Sequence, residues 1–275
     1  MHTAIAGPAS RTSTPRAAAS PIPVDSRPWE VHAMSGPPDE RDRHYTEWKG
    51  WGLDAGFAAV TPGDRDLFTR ELRGIAKRVR IHDVLEIGYG NGTFLGYCRE
   101  RGWNVTGVEL LPELRDAATA TGFAVVADDE VGSLPERAFD LVAAFDVFEH
   151  IDPSESVDFL RSIERRLRPG GFVILRYPNA DSALGDPFQN GDPTHVNAIG
   201  TLKLDFYAQQ AGLEVVEYRG TRRRGFRTSP IHGIHRLTAA PLAIAVGAIR
   251  RAIHFPDLRV VLSSGNVVAV LRSAS

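Results

Sequence analysis

The sequence predicts an α/β protein with a seven-stranded, mostly parallel sheet and helices on both faces. From about residue 64, segments with helical spacing of apolar residues alternate with short buried runs, a rhythm typical of βα units around a parallel sheet. A glycine-rich turn follows the first of these strands at Gly88. Acidic side chains stand at the ends of later strands, where the carboxyl ends of parallel strands converge on a ligand crevice.

Each element is predicted from its local pattern. Apolar residues at helical spacing predict helices over 64–79 and 201–211. Pro153 at one end and Pro169 at the other bound a further helix between two strands. The seven strands are predicted over 81–87, 105–109, 123–127, 139–145, 171–177, 213–218 and 266–271.

Composition excludes several classes of function. The 275 residues carry 32 basic and 34 acidic side chains, a net charge of −2, so no bulk field attracts nucleic acid or an anionic membrane. We expect no nucleic-acid partner, no membrane span, and any peripheral membrane contact to be local. Cys98 is the only cysteine, which excludes an intramolecular disulfide and zinc sites built on several thiolates. It indicates a reducing compartment, and we expect the cytoplasm.

The chain is predicted to contain one domain. Residues 1–40 are rich in Ala, Pro, Ser and Thr and cannot form a packed core, which predicts a disordered N-terminal tail. Residues 41–275 are predicted to form the domain itself. It begins with an aromatic cap over 44–79 and carries a C-terminal insertion or lid over 219–258.

The first predicted strand runs into a glycine-rich turn, VLEIGYGNGTFL. An acid, Glu86, precedes three alternating glycines, Gly88, Gly90 and Gly92, which allow the backbone to turn sharply and approach a ligand. A dinucleotide fingerprint requires glycine at the sixth position, where Thr93 stands. A nicotinamide-dependent oxidoreductase is therefore the weaker alternative. The pattern instead resembles motif I of the class I S-adenosylmethionine-dependent methyltransferases.

Later motifs support the same resemblance. Glu109 ends the second strand about 20 residues after the first glycine, where an acid can accept hydrogen bonds from both ribose hydroxyls. Asp128 and Asp129 close the third strand, where the family places an acid that binds the adenine amino group. The stretches FDLVAAFDVFEHI and LRPGGFVILRYPN resemble its fourth-strand and fifth-strand signatures. The resemblance implies a Rossmann-like class I methyltransferase fold and S-adenosylmethionine as cofactor. The predicted cofactor-binding residues are Glu86, Gly88, Tyr89, Gly90, Gly92, Glu109, Leu110, Asp128, Asp129 and Asp146.

Methyl transfer to oxygen requires a positioned acceptor that loses a proton. Glu149, His150 and His195 are the predicted catalytic residues, with Asp146 as a further base candidate after the fourth strand. Their spacing also resembles that of ubiquinone-biosynthesis O-methyltransferases and of small-RNA 3′-terminal 2′-O-methyltransferases. In the RNA family, such residues bind a divalent metal. Ile151 stands where the RNA family has a second histidine. A divalent metal is therefore an alternative that we do not expect.

The predicted acceptor is a hydroxyl of a small molecule or saccharide. The stretches HYTEWKGWG (44–52) and QNGDPTHVNAIG (189–200) resemble segments of methyltransferases from bacterial saccharide pathways. The basic run at 219–227 suits either a phosphate group or a solvated loop. The apolar stretch at 237–253 is long enough to lie on a membrane surface, cover the substrate site or pack in the core. A non-catalytic module that keeps the cofactor pocket is a further alternative.

Overall fold

The structure, a computed structural model, describes residues 56–222 and 230–274. Seven strands in this part of the chain form one sheet. Strands β1 to β7 span Asp83–Ile87, Asn104–Glu109, Ala124–Ala127, Phe139–Phe145, Leu167–Pro178, Leu213–Gly220 and Asn266–Ser273. Their order across the sheet is β3-β2-β1-β4-β5-β7-β6. The pairs among β1 to β5 are parallel and β7 is antiparallel to both of its neighbours, which confirms the predicted mostly parallel sheet.

Helices connect the strands and cover both faces of the sheet. Helices α1 to α8 span Pro62–Leu72, Thr93–Glu100, Pro112–Ala120, Ser156–Arg166, Asp186–Gln189, Thr201–Gln210, Pro230–Leu237 and Ala239–His254. Two 3₁₀ helices, Asp128–Ser133 and Phe148–His150, follow β3 and β4. Helices α7 and α8 lie between β6 and β7, inside the range predicted as an insertion. The predicted tail at 1–40 and the aromatic stretch at 44–52 lie outside the described residues.

The boundaries of two elements differ from the prediction by more than two residues. The first helix ends at Leu72 rather than at residue 79, although Ile75 is still buried and Val79 still donates a backbone hydrogen bond to it. The apolar spacing therefore continues through hydrogen-bonded turns that are not a regular helix. Strand β5 begins at Leu167 rather than at residue 171, because Leu167 pairs with Phe139 across an irregularity in the ladder.

Alternation along the central strands divides the core into two layers. Leu85 and Val142 point to a layer that is completed by α4 and α6, whereas Val84 and Leu141 point to a layer completed by α1 and α2. All four side chains are fully buried. Burial of each such side chain stabilises the fold by about 1.5–3 kcal/mol, so the two layers fix the register of β1 and β4 at the centre of the sheet.

Helix α2 offers a test of this packing at Gly96. A Cβ on Gly96 would overlap the carbonyl oxygen of Ala58 and lie 2.9 Å from Cγ2 of Val60, whereas a Cβ on Gly132 would meet nothing within 4 Å. Gly→Ala within a helix ordinarily stabilises it by about 0.5–1 kcal/mol. We expect G96A to lower the free energy of unfolding by about 1–3 kcal/mol because of overpacking. The control G132A should leave it unchanged or slightly raised. Urea denaturation followed by circular dichroism measures both, and equal midpoints would contradict the prediction.

Candidate active site

The glycine-rich turn joins β1 to α2 at the carboxyl edge of the sheet. Gly88, Gly90 and Gly92 have φ values of 66°, 52° and 72°, in the left-handed region that favours glycine. A Cβ on Gly88 would overlap Cγ2 of Val147, and a Cβ on Gly92 would lie 2.7 Å from the ring of Phe57. The chain's own packing therefore requires glycine at these two positions. It also places the loop after β4 directly against the turn.

Glu109 ends β2 beside this turn. Its carboxylate accepts hydrogen bonds from the backbone amides of Gly90 at 3.0 Å, Leu110 at 2.9 Å and Leu111 at 3.3 Å. Burial raises the pKa of Glu109, although these amide donors act in the opposite direction. The side chain therefore ties the glycine turn to the end of the second strand.

Glu86 places a second buried carboxyl under the turn. Its Oε2 atom has no hydrogen-bond partner among the described residues. Burial raises the pKa of Glu86 well above its ordinary value, and the charge of Glu109 raises it further. Arg176 is the positive group that lowers it. The region around the glycine turn therefore holds two buried carboxyls whose ionised forms a cationic ligand would stabilise.

The remaining predicted cofactor-binding residues differ in how far they are buried. Tyr89 is buried against Phe57 and Gly107, so its ring belongs to the core and only its backbone lines the turn. Leu110 is partly buried directly after Glu109. Asp128 and Asp129 begin the 3₁₀ helix after β3, as predicted, but only Asp128 is partly buried.

Asp146 follows β4 and is paired with a residue that the sequence analysis did not single out. Its carboxylate accepts a hydrogen bond of 2.9 Å from Nε of Arg176, and its φ is 58°. Burial by itself would lower the pKa of Arg176, but the charges of Asp146 and Glu149 raise it. Arg176 ends an otherwise apolar stretch of β5, which is the signal that would have indicated it. The structure gives Asp146 an ion pair and leaves it outside the cluster formed by the other three candidates.

The predicted catalytic residues lie together. Glu149, His150 and His195 each offer a ligand atom, and these three atoms lie within 4.8 Å of one another. The two imidazole rings are 4.6 Å apart and nearly perpendicular. Backbone bonds of 3.0 Å from the amides of Val196 and Asn197 to the carbonyl of Glu149 hold the two loops together. The long connection after β5 therefore overhangs the end of β4, as the sequence predicted.

Asp192 is a buried acid in this cluster that sequence reasoning missed. Its Oδ1 accepts a hydrogen bond of 2.6 Å from the hydroxyl of Thr194, which lies 3.0 Å from Nδ1 of His150. Because the threonine proton goes to the carboxylate, Nδ1 of His150 must donate to the hydroxyl. Nδ1 of His195 lies 3.0 Å from the carbonyl of Phe188 and must likewise donate. In each neutral ring, Nε2 is then the basic atom.

Nε2 of His195 faces two carboxylates. It lies 3.5 Å from Oδ2 of Asp192 and 3.9 Å from Oε1 of Glu149. Two acidic groups this close stabilise a proton or a cation at Nε2, so this atom is suited to accept either. The acid three residues before the histidine, in GDPTH, is the sequence signal that indicates Asp192.

Comparison with known proteins identifies the family. A model of the methyltransferase domain matches residues 40–218, so the chain belongs to this family. Ubiquinone biosynthesis O-methyltransferase from Hydrogenovibrio crunogenus is 24% identical over 156 residues, which cover 50% of this chain and 64% of that one. Malonyl-[acyl-carrier protein] O-methyltransferase from Serratia marcescens is 34% identical over 149 residues, which cover 52% of this chain and 57% of that one. The chain thus spans less than two thirds of the length of either relative.

Solved structures share the fold. A SAM-dependent methyltransferase from Archaeoglobus fulgidus aligns with a TM-score of 0.52 at 20% identity, covering 76% of this chain and 94% of that one. An S-adenosylmethionine-dependent methyltransferase from Clostridium acetobutylicum has the same TM-score at 10% identity, covering 84% and 100%. The fold is that of the class I methyltransferases, as predicted. The family match favours methyl transfer over the nicotinamide alternative.

The residues of the glycine turn fit the cofactor of this family. S-adenosylmethionine carries a sulfonium and an ammonium group, and the unpartnered buried oxygen of Glu86 beside Glu109 matches that positive charge. The backbone amides of Gly88, Gly90 and Gly92 already donate to Val108, Glu109 and Tyr89, so the turn offers a ligand its neighbouring carboxyls rather than these amides. The donor set therefore suits a cationic nucleoside better than a pyrophosphate.

Proposed function

We propose that this methyltransferase moves the methyl group of S-adenosylmethionine to a hydroxyl of a small molecule or saccharide. One observation carries the proposal: Glu149, His150 and His195 cluster at the end of β4, whose following loop packs against the glycine turn through Val147. Both relatives are named as O-methyltransferases, which supports oxygen as the acceptor atom. Turnover of labelled cofactor with a pool of hydroxylated acceptors tests it, and separates an enzyme from a non-catalytic cofactor-binding module.

For the cofactor, we propose one role for each predicted group. Glu109 accepts hydrogen bonds from the ribose hydroxyls, and Asp128 binds the adenine amino group. Glu86 stabilises the positive charge of the methionine end. The backbone from Gly88 to Gly92 lies along the cofactor, and Leu110 contacts the adenine. Asp129 is exposed and Asp146 is paired with Arg176, so we propose that these two residues contribute less to cofactor binding than the others.

Replacement of Glu109 tests the cofactor site. E109A removes charge-assisted hydrogen bonds worth about 1.5–3 kcal/mol, so affinity for S-adenosylhomocysteine should fall more than about tenfold. Titration calorimetry measures the change, and circular dichroism checks that the variant is folded. Glu113, on the first turn of α3, provides the control E113A, which should bind normally. Unchanged affinity in folded E109A would mean that Glu109 does not contact the cofactor.

Methyl transfer to a hydroxyl requires one proton to leave the acceptor. When bound, S-adenosylmethionine would supply the methyl group to the acceptor oxygen and would leave as S-adenosylhomocysteine with the electron pair of the broken C–S bond. We propose that Nε2 of His195 or His150 accepts the hydroxyl proton. Asp192 acts as a positioning residue, since it faces His195 directly and orients His150 through Thr194.

Histidine replacement tests proton removal. H195A or H150A should lower turnover by about 10²–10⁴ while leaving affinity for S-adenosylhomocysteine nearly unchanged. D192N should lower turnover less and alter its dependence on pH, because the carboxylate that orients both rings is lost. H82A serves as a control, since His82 lies before β1 at the opposite edge of the sheet. Full activity in both histidine variants would return the role of base to Glu149 or solvent.

A divalent cation in the same cluster is a second candidate, favoured by the histidine nitrogen that faces two carboxylates. Glu149, His150 and His195 would hold the ion. Oxygen and imidazole ligands suit Mg²⁺, Mn²⁺ or Fe²⁺. The hydrogen bond from Nδ1 of His195 to the carbonyl of Phe188 is the kind of support that orients metal-binding histidines. When bound, such an ion would lower the pKa of an acceptor hydroxyl.

Chelation separates the two candidates. If turnover requires a cation, thorough removal of that cation by a chelator should abolish turnover, and added Mg²⁺ or Mn²⁺ should restore it. Binding of S-adenosylhomocysteine should stay unchanged. E149Q should then weaken binding of Mn²⁺, measured directly by electron paramagnetic resonance. With a histidine acting alone, the chelator has no effect and turnover rises with pH as the imidazole loses its proton. Chelator-resistant activity together with no Mn²⁺ binding would eliminate the cation.

A further inference from the structure

Helices α7 and α8 expose large apolar side chains to solvent. Ile231 and Leu237 on α7 are 80% and 70% exposed, and Leu242, Ile249 and Ile253 on α8 are 67%, 59% and 66% exposed. Scattered single apolar residues are normal on a protein surface, whereas a contiguous group of this kind marks an interaction site. We call these two helices, residues 230–254, the apolar hairpin.

Four of the five large apolar side chains exposed on α8 form a stripe, and Ile244 lies outside it. Leu242, Val246, Ile249 and Ile253 follow one another at intervals of four, three and four residues, which places them on one side of a helix. The helix contacts the body of the protein through Gly247, where a Cβ would lie 3.1 Å from Cβ of Ser263. Within the described part of the chain, the apolar stripe is therefore turned away from the sheet.

The charge around the hairpin is positive. No Asp or Glu occurs from residue 222 to residue 256, although the whole chain has a net charge of −2. Arg250 and Arg251 at the end of α8 form no ion pair with any residue that the structure describes. The arginines in this acid-free stretch are Arg222, Arg223, Arg224, Arg227, Arg236, Arg250 and Arg251.

Part of the basic run at 219–227 has a structural role. Arg219 pairs with Glu71 and Glu217, and the backbone amide of Arg222 donates to Glu71. These contacts tie the end of β6 to α1, so Arg219 is not available to an anion. Residues 223–229 lie outside the described residues. The charge argument therefore rests on the absence of acids in the sequence and on Arg250 and Arg251.

A cavity of about 470 Å³ lies where α8 meets the loops at the carboxyl edge of the sheet. Leu184, Phe255 and Leu262 contribute apolar lining, and Arg250 and His254 contribute basic groups. The one acid in the lining is Asp181, whose carboxylate accepts hydrogen bonds from Thr201. Apolar lining beside basic groups matches the chemistry of an acyl chain with an anionic headgroup. The cavity is continuous with the exposed side of the hairpin through Val246.

We infer that the apolar hairpin docks on the surface of an anionic lipid bilayer. The described residues contain no helix long and apolar enough to cross a membrane. Helix α8 has 16 residues, which corresponds to about 24 Å, and carries Arg250 and Arg251 near its C-terminal end. Such a helix lies in the interface, where apolar side chains enter the acyl region and arginines contact anionic headgroups. The inference does not depend on the proposed methyl transfer.

Vesicle sedimentation tests the inference with the full chain. We expect binding to phosphatidylcholine vesicles that contain phosphatidylglycerol, weak binding to phosphatidylcholine alone, and loss of binding at high salt. I249Q/I253Q should weaken partitioning more than about 30-fold, and R250Q/R251Q about 30-fold. The matched control is L202Q/F206Q on α6, whose side chains are 61% and 57% exposed at the same spacing. This control should bind like the unchanged protein.

Two further measurements keep the result unambiguous. Circular dichroism and binding of S-adenosylhomocysteine should be equal in all variants, which shows that loss of sedimentation is not loss of fold. Analytical ultracentrifugation detects whether a second copy of the chain, rather than a bilayer, binds to the apolar hairpin. Absence of vesicle binding at low salt, equal binding to neutral and anionic vesicles, or self-association abolished by I249Q/I253Q without any vesicle binding would each overturn the inference.

Discussion

The concentration of buried carboxylates at one edge of the sheet is the constraint on which the site depends. Glu86, Glu109, Glu149 and Asp192 are all nearly inaccessible to solvent, and each lies at or after the carboxyl end of a strand. Desolvation of an ionised carboxylate costs several kcal/mol unless a positive group or hydrogen bonds compensate for it. Arg176 is a single counter-charge that acts on both Glu86 and Glu149. The site is therefore electrostatically prepared for a cation, whether a sulfonium, an imidazolium or a metal ion.

The fold creates this concentration through the adjacency of β1 and β4. Their ladder places Ile87 beside Ala144, so the glycine turn and the loop after β4 emerge side by side. Contact between Val147 and the turn then leaves no space for a side chain at Gly88. The glycine is needed for the chain to bring its two functional loops together, in addition to any need of a ligand. For this reason the glycine pattern by itself identifies a fold, and the carboxylates around it indicate the chemistry.

Elements with strong local signals could be predicted from the sequence. The strands and the two-layer core follow from apolar alternation and spacing, and the convergence of Glu149, His150 and His195 follows from their places at the ends of parallel elements. Contacts between distant side chains could not be predicted in this way. Arg176 reaches Asp146 across 30 residues, and its place at the end of an apolar run in β5 indicates the arginine but not its partner. Asp192 was missed because its importance lies in the two histidines it faces, which only the fold brings together.

The net charge of the chain does not describe how its charges are distributed. A net value of −2 suggests no preference for a charged partner, yet the molecule separates its charges. Carboxylates gather at the ends of β1, β2 and β4, while residues 222–256 contain no acid at all. Because screening confines electrostatic effects to about 10 Å at ordinary salt, each region acts on what lies next to it and the sum over the chain decides little. The buried carboxylates and the basic, apolar hairpin can therefore favour opposite kinds of ligand on one molecule.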